Sequence, residues 1–276
     1  MLELALSTGY AHNPLRLTSS DGSQHLSLVE HQAFFDFGAA VTYDRLRVYV
    51  NLSSPLLVEG ESGTIDAVHF PPGQSPDKQH DCSQKRVCAD LGWNPDTISD
   101  ARIGFDARLL GDARSPLRVG ISTQLILPAG HRADYVTDGT VRSMDRLLFA
   151  GDLGRLSWAG QLGVHFRRLN DTQVPGSPRG SEMLFGFAAG PKWTVGRQRD
   201  LALILGPEIY GATAFRALLG SNTTALEGLL SGRVEGTGGR GAKLRIKLGG
   251  GVGLHPEFGA PDYRFVFAIE TFDRRP

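Results

Sequence analysis

Residues 100–130 read DARIGFDARLLGDARSPLRVGISTQLILPAG, and this stretch alternates between apolar and polar residues on both sides of a short polar turn. Ile103 and Phe105 share one face of its first half, while Arg102 and Asp106 share the other. A period of two is typical of a β-strand that has one apolar face. The stretch therefore predicts a hairpin of two long antiparallel strands.

The same alternation recurs along the whole chain and predicts twelve strands. The predicted strands are 2–11, 33–44, 46–56, 98–110, 116–129, 143–153, 156–168, 182–195, 201–215, 224–236, 243–254 and 262–272. Pro191 and Pro207 fall inside two of them, and because proline cannot donate to a β-ladder we expect a bulge at each.

The links between these strands alternate between short and long. Arg45 alone joins the second strand to the third, whereas residues 57–97 join the third to the fourth. An even number of strands with tight turns at one end and larger loops at the other is typical of an outer-membrane barrel. The sequence therefore predicts an all-β fold: a single closed, antiparallel, up-and-down transmembrane β-barrel of about 12 strands.

A soluble β-sandwich would show similar alternation, with its apolar faces buried in a shared core. Two features favour the membrane barrel. Several predicted strands span more than ten residues, whereas a usual strand has about 5–6. Tyr43, Trp158 and Trp193 fall beside the short turns, where an aromatic girdle would meet the membrane interface.

The composition limits the function classes. Lys+Arg and Asp+Glu both total 29, so the formal net charge is zero and a nucleic-acid partner is not expected. The sequence contains no run of 18 apolar residues, so it predicts no transmembrane helix. No composition shift divides the chain, so residues 1–276 are interpreted as one domain.

The N-terminal segment MLELALSTGY alternates like a strand and lacks the basic and apolar regions of a signal peptide. We therefore expect the numbering to begin at a mature or excised domain.

Cys82 and Cys88, the two cysteines, lie close together in the polar link 57–97, which predicts a local disulfide in an oxidising compartment. A metal site using His80, Asp81 and both cysteines is the alternative, but this spacing matches no zinc motif.

Four stretches resemble the N-terminal β-barrel domain of OmpA-family outer-membrane proteins from myxobacteria and related delta-proteobacteria. They are the hairpins at 33–60 and 100–130, RLLFAGDLGRLSWAGQLGVHFRR at 146–168 and KLGGGVGLHPEFGAPDYRFVFAIET at 247–271. The resemblance implies a bacterial outer-membrane location in contact with lipid and lipopolysaccharide. Members of the family usually continue into a periplasmic peptidoglycan-binding domain, which this chain does not include, and the resemblance carries over no catalytic residue.

The polar faces of the predicted strands carry charges of both signs, which a barrel would direct into its lumen. The predicted lumen-lining residues are Asp36, Arg102, Asp106, Arg108, Arg118, Arg146, Asp152, His165, Arg167, Glu208, Arg233, Glu235, Arg245, Lys247, Arg264 and Glu270. They predict either a narrow, slightly basic pore or a filling of ion pairs that satisfies the buried charges.

Three functions fit this pattern. The first is porin-like passage of small hydrophilic solutes through a charged, narrow lumen, without cofactor or metal. The second is a structural or docking barrel with a plugged lumen, which recognises partners through its extracellular loops, chiefly 57–97. The third is a hydrolase using His165, the only histidine expected mid-strand, and Ser157. No nucleophile motif surrounds any serine, so we do not expect an enzyme.

Overall fold

A computed structural model shows a closed antiparallel barrel of twelve strands with a two-stranded hairpin at one end. It describes residues 1–19, 21–66, 68–70, 98–112, 115–130, 135–168, 180–195, 201–221, 223–236, 244–255 and 259–271. The barrel strands are β1 (Leu2–Thr18), β2 (His25–Tyr43), β3 (Leu46–Glu59), β6 (Ala101–Leu110), β7 (Arg118–Leu127), β8 (Arg142–Leu153), β9 (Leu156–Phe166), β10 (Glu182–Val195), β11 (Leu201–Ala214), β12 (Thr224–Gly236), β13 (Leu244–His255) and β14 (Tyr263–Thr271). The hairpin consists of β4 (Gly63–Ile65) and β5 (Val68–Phe70).

Each barrel strand pairs with its neighbour in the chain, and β1 closes the sheet against β14. Ala5 lies opposite Glu270, and His12 lies opposite Tyr263, so the seam is paired over most of the length of β14. Closure leaves no open sheet edge, which a membrane-spanning sheet requires. The predicted up-and-down barrel is confirmed.

The two ends of the barrel differ. The start of β1, the end of β14 and the links of two to seven residues between even and odd barrel strands lie at one end, which we call the turn end. The other end, which we call the loop end, carries links of six to 41 residues. At the turn end, the links at 44–45 and 154–155 are two residues long because Asp44 and Gly154 adopt positive φ angles, as tight hairpin turns need.

The outer face of the barrel is apolar. More than forty large hydrophobic side chains are exposed, among them Leu2 at 65%, Leu248 at 63% and Phe265 at 58%. An uninterrupted surface of this kind is stable in lipid but would aggregate in water. The alternative of a soluble sandwich is therefore wrong, since the apolar faces point outward rather than into a shared core.

Among the described residues, no helix has the length and apolar character needed to cross a membrane.

Aromatic side chains flank the apolar belt. Tyr43 is 81% exposed and Trp193 is 42% exposed, both beside the turn end. Trp158 lies on the outer face with them, and its ring contacts those of Phe149 and Phe187. Their position matches the predicted girdle at that membrane interface.

The first two strands are longer than the sequence predicts. Residues 12–18 and 25–32, expected as loop, continue β1 and β2 beyond the rest of the barrel at the loop end. Register shifts after His12 and after Leu15 interrupt the pairing, so the alternation is broken in the sequence although the strands continue. Part of the predicted link 57–97 also forms strands, since β3 runs to Glu59 and the β4–β5 hairpin follows. The predicted Cys82–Cys88 disulfide lies outside the described residues.

The bulges expected at Pro191 and Pro207 are wrong. The register between β10 and β11 is the same before and after the two prolines, with Ala188 opposite Glu208 and Lys192 opposite Ile204. The prolines lie near each other on adjacent strands. Because each lacks a backbone N–H, the hydrogen-bonded ladder is weakened there, but no extra residue is inserted to form a bulge.

Candidate functional site

The lumen of the barrel contains two overlapping cavities, of about 570 Å³ and about 370 Å³. Arg118, Ala150, Ala159, Ala188 and Glu208 line both, so the two spaces are continuous. A combined space of this size can hold many water molecules or a small solute.

Small side chains create this space. Ala150, Ala159, Ala188 and Gly206 point inward from four consecutive strands, β8 to β11, and leave that wall thin. A Cβ atom on Gly206 would lie 2.0 Å from the carbonyl oxygen of Ala189, so only glycine fits there. The proline-containing strands β10 and β11 are therefore close together, and the side chains of this wall extend only a short way into the lumen.

The strand register places all of the predicted lumen-lining residues on the inward face, with Arg167 one residue beyond the end of β9. Glu3, Arg47 and Lys192 join them near the turn end, where acids and bases from nine strands form a band that we call the turn-end ring. The residues of the turn-end ring are Glu3, Arg47, Asp106, Arg108, Arg118, Asp152, Lys192, Arg233, Glu235, Arg245, Lys247 and Glu270.

Ion pairs link most neighbours in the turn-end ring. The guanidinium of Arg47 lies 3.1 Å from a carboxylate oxygen of Glu3 and 3.1 Å from one of Asp106. The guanidinium of Arg245 likewise bridges Glu235 at 3.0 Å and Glu270 at 3.1 Å. Each bridging arginine holds two strands' carboxylates and fixes its own side chain against the wall.

Among the described residues, the most deeply buried charged side chains of the lumen are acids. The side chain of Glu235 is 0% exposed and that of Glu227 is 4% exposed, whereas those of Arg47 and Lys247 are both 41% exposed. Of the twelve residues of the turn-end ring, seven are basic and five acidic. A solute that passes through the turn-end ring therefore meets more positive than negative charge, although the formal net charge of the whole chain is zero.

Arg108 is the base in the turn-end ring that stands apart from this pairing. It lies opposite Gly120 on β7 and lines the larger cavity. Within the described ranges, no carboxylate forms an ion pair with it, and its Nε is buried without a hydrogen-bond partner. Its positive charge is consequently the least compensated among the described bases of the cavity wall.

Halfway along the lumen, neutral polar side chains surround Arg146. Its guanidinium donates to the hydroxyl oxygens of Tyr49 and Ser122 at 3.4 and 3.2 Å, and Gln124 donates to Tyr49 at 3.2 Å. Asp36, on the neighbouring wall, accepts a hydrogen bond from Ser7 at 3.3 Å. These contacts satisfy polar groups that would otherwise be costly to bury.

At the loop end, a chain of ion pairs runs across four strands. Arg142 contacts Asp100 and Asp138, and Arg167 contacts Asp138 at 2.6 Å and Glu182 at 3.5 Å. Sequence reasoning missed Asp100, Asp138, Arg142 and Glu182 because they lie at or beyond the ends of the predicted strands. Their only sequence signal is the presence of opposite charges at the ends of adjacent strands.

His165 belongs to this loop-end chain, since its Nδ1 lies 3.5 Å from a carboxylate oxygen of Glu182. Ser157 lies eight residues earlier on the same extended strand, which corresponds to about 26 Å. A nucleophile and its base must lie within hydrogen-bond reach, so this pair does not form a hydrolytic site.

A cluster of apolar side chains covers part of the loop end, and we call it the mouth cap. Leu17 and Leu26 from the extended β1–β2 hairpin pack against Ile65 and Phe70 of the small hairpin, and all four are buried. Tyr135, from the link between β7 and β8, packs against the same cluster, and burial raises the pKa of its hydroxyl. The mouth cap thus joins parts of the rim that are three strands apart.

No protein-family model matches the chain, and no curated protein does either. Among solved structures, an outer-membrane channel from Pseudomonas putida F1 aligns with a TM-score of 0.59 at 11% identity, covering 98% of this chain and 94% of the channel. The NanC porin aligns with a TM-score of 0.49 at 8% identity, covering 98% of this chain and all of the porin. The KdgM porin aligns with a TM-score of 0.42 at 6% identity, covering 98% and 99%. At these identities the likeness shows the fold alone, a barrel of the outer-membrane type.

Proposed function

We propose that the chain is an outer-membrane channel through which small hydrophilic solutes diffuse, with a mild preference for anions. The observation that carries this proposal is the continuous lumen space lined by small residues, with accessible bases and buried acids around it. The most similar of the structures named above is also an outer-membrane channel and has the same barrel architecture.

The orientation follows from the general rule that short turns face the periplasm and long loops face the exterior. The turn-end ring then lies on the periplasmic side, and the mouth cap lies outside. The apolar belt between the aromatic residues contacts membrane lipid, with lipopolysaccharide as the outer leaflet.

Conductance of single molecules in a planar lipid bilayer tests the proposal. The protein is refolded in detergent, and its folded state is checked by the heat-dependent shift in gel mobility that closed barrels show. We expect steady conductance in potassium chloride and a reversal potential on the anion-selective side under a salt gradient. Folded, inserted protein that stays silent would exclude a constitutive channel.

The mouth cap favours a second function, a plugged barrel that recognises partners through its loops. Its apolar side chains are packed as tightly as a small protein core, with Leu17, Ile65 and Phe70 each 2% exposed. A silent wild-type protein that conducts after the β4–β5 hairpin is deleted would support this function over a constitutive channel.

The chain's place in the OmpA family, with a periplasmic domain as partner, stays a prediction from the stretches quoted above. Pull-down of peptidoglycan by the protein as the cell expresses it, compared with residues 1–276, would test it.

A further inference from the structure

Two histidines face each other across the β1–β2 hairpin on the outer side of the barrel. His12 and His31 are direct cross-strand partners, and their ring centroids are 5.1 Å apart. Sequence analysis places both in loops or at their edges, whereas the structure places them in paired strands. They lie at the loop end, where β1 makes its last pair with β14 through Tyr263.

A β-bulge adds a carboxylate to this pair. Asn13 and Pro14 together stand opposite the single residue Glu30, and Asn13 adopts a φ of 52°. Bulges change the direction of nearby side chains. Here a carboxylate oxygen of Glu30 lies 3.7 Å from Nε2 of His31, and one candidate ligand atom each from His12, Glu30 and His31 all lie within 4.8 Å of one another.

The ring nitrogens are arranged as in a metal site. Nδ1 of His12 is buried without a hydrogen-bond partner among the described residues. Such a group is rare in a folded protein, and an ion is one of its few explanations. The hydroxyl of Tyr10 lies 2.7 Å from Nδ1 of His31, and a hydrogen bond there leaves Nε2 directed at Glu30. Metal-ligating histidines usually have such a partner on the second nitrogen.

The bulge is held in place by contacts outside the three residues. Asn13 donates to a carboxylate oxygen of Asp262 at 2.7 Å, and Arg16 forms an ion pair with the other oxygen at 2.5 Å. The backbone amide of Asp262 also donates to the carbonyl of His12 at 2.9 Å. These contacts fix the backbone on both sides of His12, so the site is largely formed before any ion arrives.

We propose that His12, Glu30 and His31 bind one divalent transition-metal ion with the ligand preferences of zinc. Two imidazoles and one carboxylate, with a fourth position left to water, form a common zinc set, whereas calcium and magnesium prefer oxygen ligands alone. Tetrahedral zinc needs ligand atoms about 3.3 Å apart, so small side-chain rotations close the site. Its position at the rim exposes the open coordination position to the cell exterior.

Titration of the metal-free, refolded full chain with Zn²⁺, and with Co²⁺ as a spectroscopic probe, tests the proposal. We expect one ion per chain at this site and a tetrahedral Co²⁺ absorption spectrum that Zn²⁺ abolishes. H12Q and H31Q should each weaken binding by at least about 100-fold, and Y10F by about 10-fold through loss of the outer partner. H25Q is the matched control, because His25 is exposed at the first residue of β2 and lies outside the proposed ligand set, so the substitution should leave binding unchanged.

Each result decides the proposal. Binding with equal affinity in wild type, H12Q and H31Q would overturn it, because the ion would then be held elsewhere in the chain. Absence of binding to folded wild type would overturn it as well. If the histidine variants lose the heat-dependent gel shift of the folded barrel, E30Q provides the test: it keeps the size of the side chain, and loss of the charged ligand should weaken binding by at least about 10-fold.

Discussion

Neutralising Arg108 should reduce the anion preference of the proposed channel without unfolding the barrel. A sphere of the volume of the larger cavity, about 570 Å³, has a radius of about 5 Å, so a permeating ion passes within about 5 Å of the guanidinium. In water-like surroundings, a unit charge at that distance contributes about 0.8 kcal/mol, and screening at 0.1 M salt lowers this to about 0.5 kcal/mol. R108Q therefore removes about 0.5 kcal/mol of attraction for an anion and a similar repulsion for a cation.

The two effects add to about 1 kcal/mol, so the anion-to-cation permeability ratio should fall roughly fivefold. The reversal potential under a potassium chloride gradient measures this ratio directly. At 1 M salt the Debye length shrinks to about 3 Å, and the difference between wild type and R108Q should then nearly vanish.

R216Q is the matched control, because it removes the same charge from an exposed position at the loop end, away from the cavity lining. It should leave the reversal potential unchanged. The reasoning is refuted if R108Q conducts with wild-type selectivity at low salt, or if R216Q shifts selectivity as much as R108Q does.

Three further outcomes follow from particular contacts. R245M should destabilise the barrel by about 3 kcal/mol, measured by urea unfolding in detergent, because the fully buried Glu235 loses its basic partner at 3.0 Å while Arg233 is more distant, at 3.8 Å; R245K, which retains a charge, should lose less. F70D should loosen the mouth cap and raise the mean conductance, and unchanged conductance would mean that the cap does not limit flow. Hydrogen bonds from Ser19 and Ser23 lower the pKa of Asp21 to about 2, below its usual 3.8, so its contribution to the turn at 19–24 is complete above pH 4 and is lost as the pH falls through 2. The protection of the Ser23 amide from exchange, relative to the intrinsic exchange rate at each pH, should fall over that window but show no such step in D21N.

Two of the predicted strands have the bounds that the structure gives them. The predicted bounds 182–195 and 224–236 coincide with β10 and β12. The odd or even position of a residue in its strand is also enough to assign the charged residues to the lumen, since a strand with one face in lipid can place Arg and Glu only on its other face. A tight turn such as Gly154-Arg155 then determines which residues of the following strand face the lumen.

The loop end was not predictable in the same way. The Asn13-Pro14 pair is typical of a turn, so the sequence ends β1 too early, whereas the structure absorbs these residues in a bulge. The mouth cap joins Leu26 to Phe70, which are separated by the rest of β2 and all of β3. The alternation of apolar and polar residues gives no sign of that contact. The apolar residues of a loop show their role only when a distant segment packs against them.

The burial of the acids explains how a chain with no net charge can form a basic lumen. A carboxylate has a short side chain and stays close to the wall, whereas Arg and Lys have long stems that reach past it into the space. Glu235 illustrates this, because it is fully buried while Arg233 is 35% exposed and Lys247, across the β12–β13 pair, is 41% exposed. Each acid therefore stabilises a neighbouring base and holds it in position, while the base presents its remaining N–H groups to the lumen. Exchanging the sign at a bridging base, as in R245E, would place three carboxylates together and cost stability. For that reason Arg108, which forms no ion pair with any described carboxylate, separates conduction from folding more cleanly than a bridging arginine does.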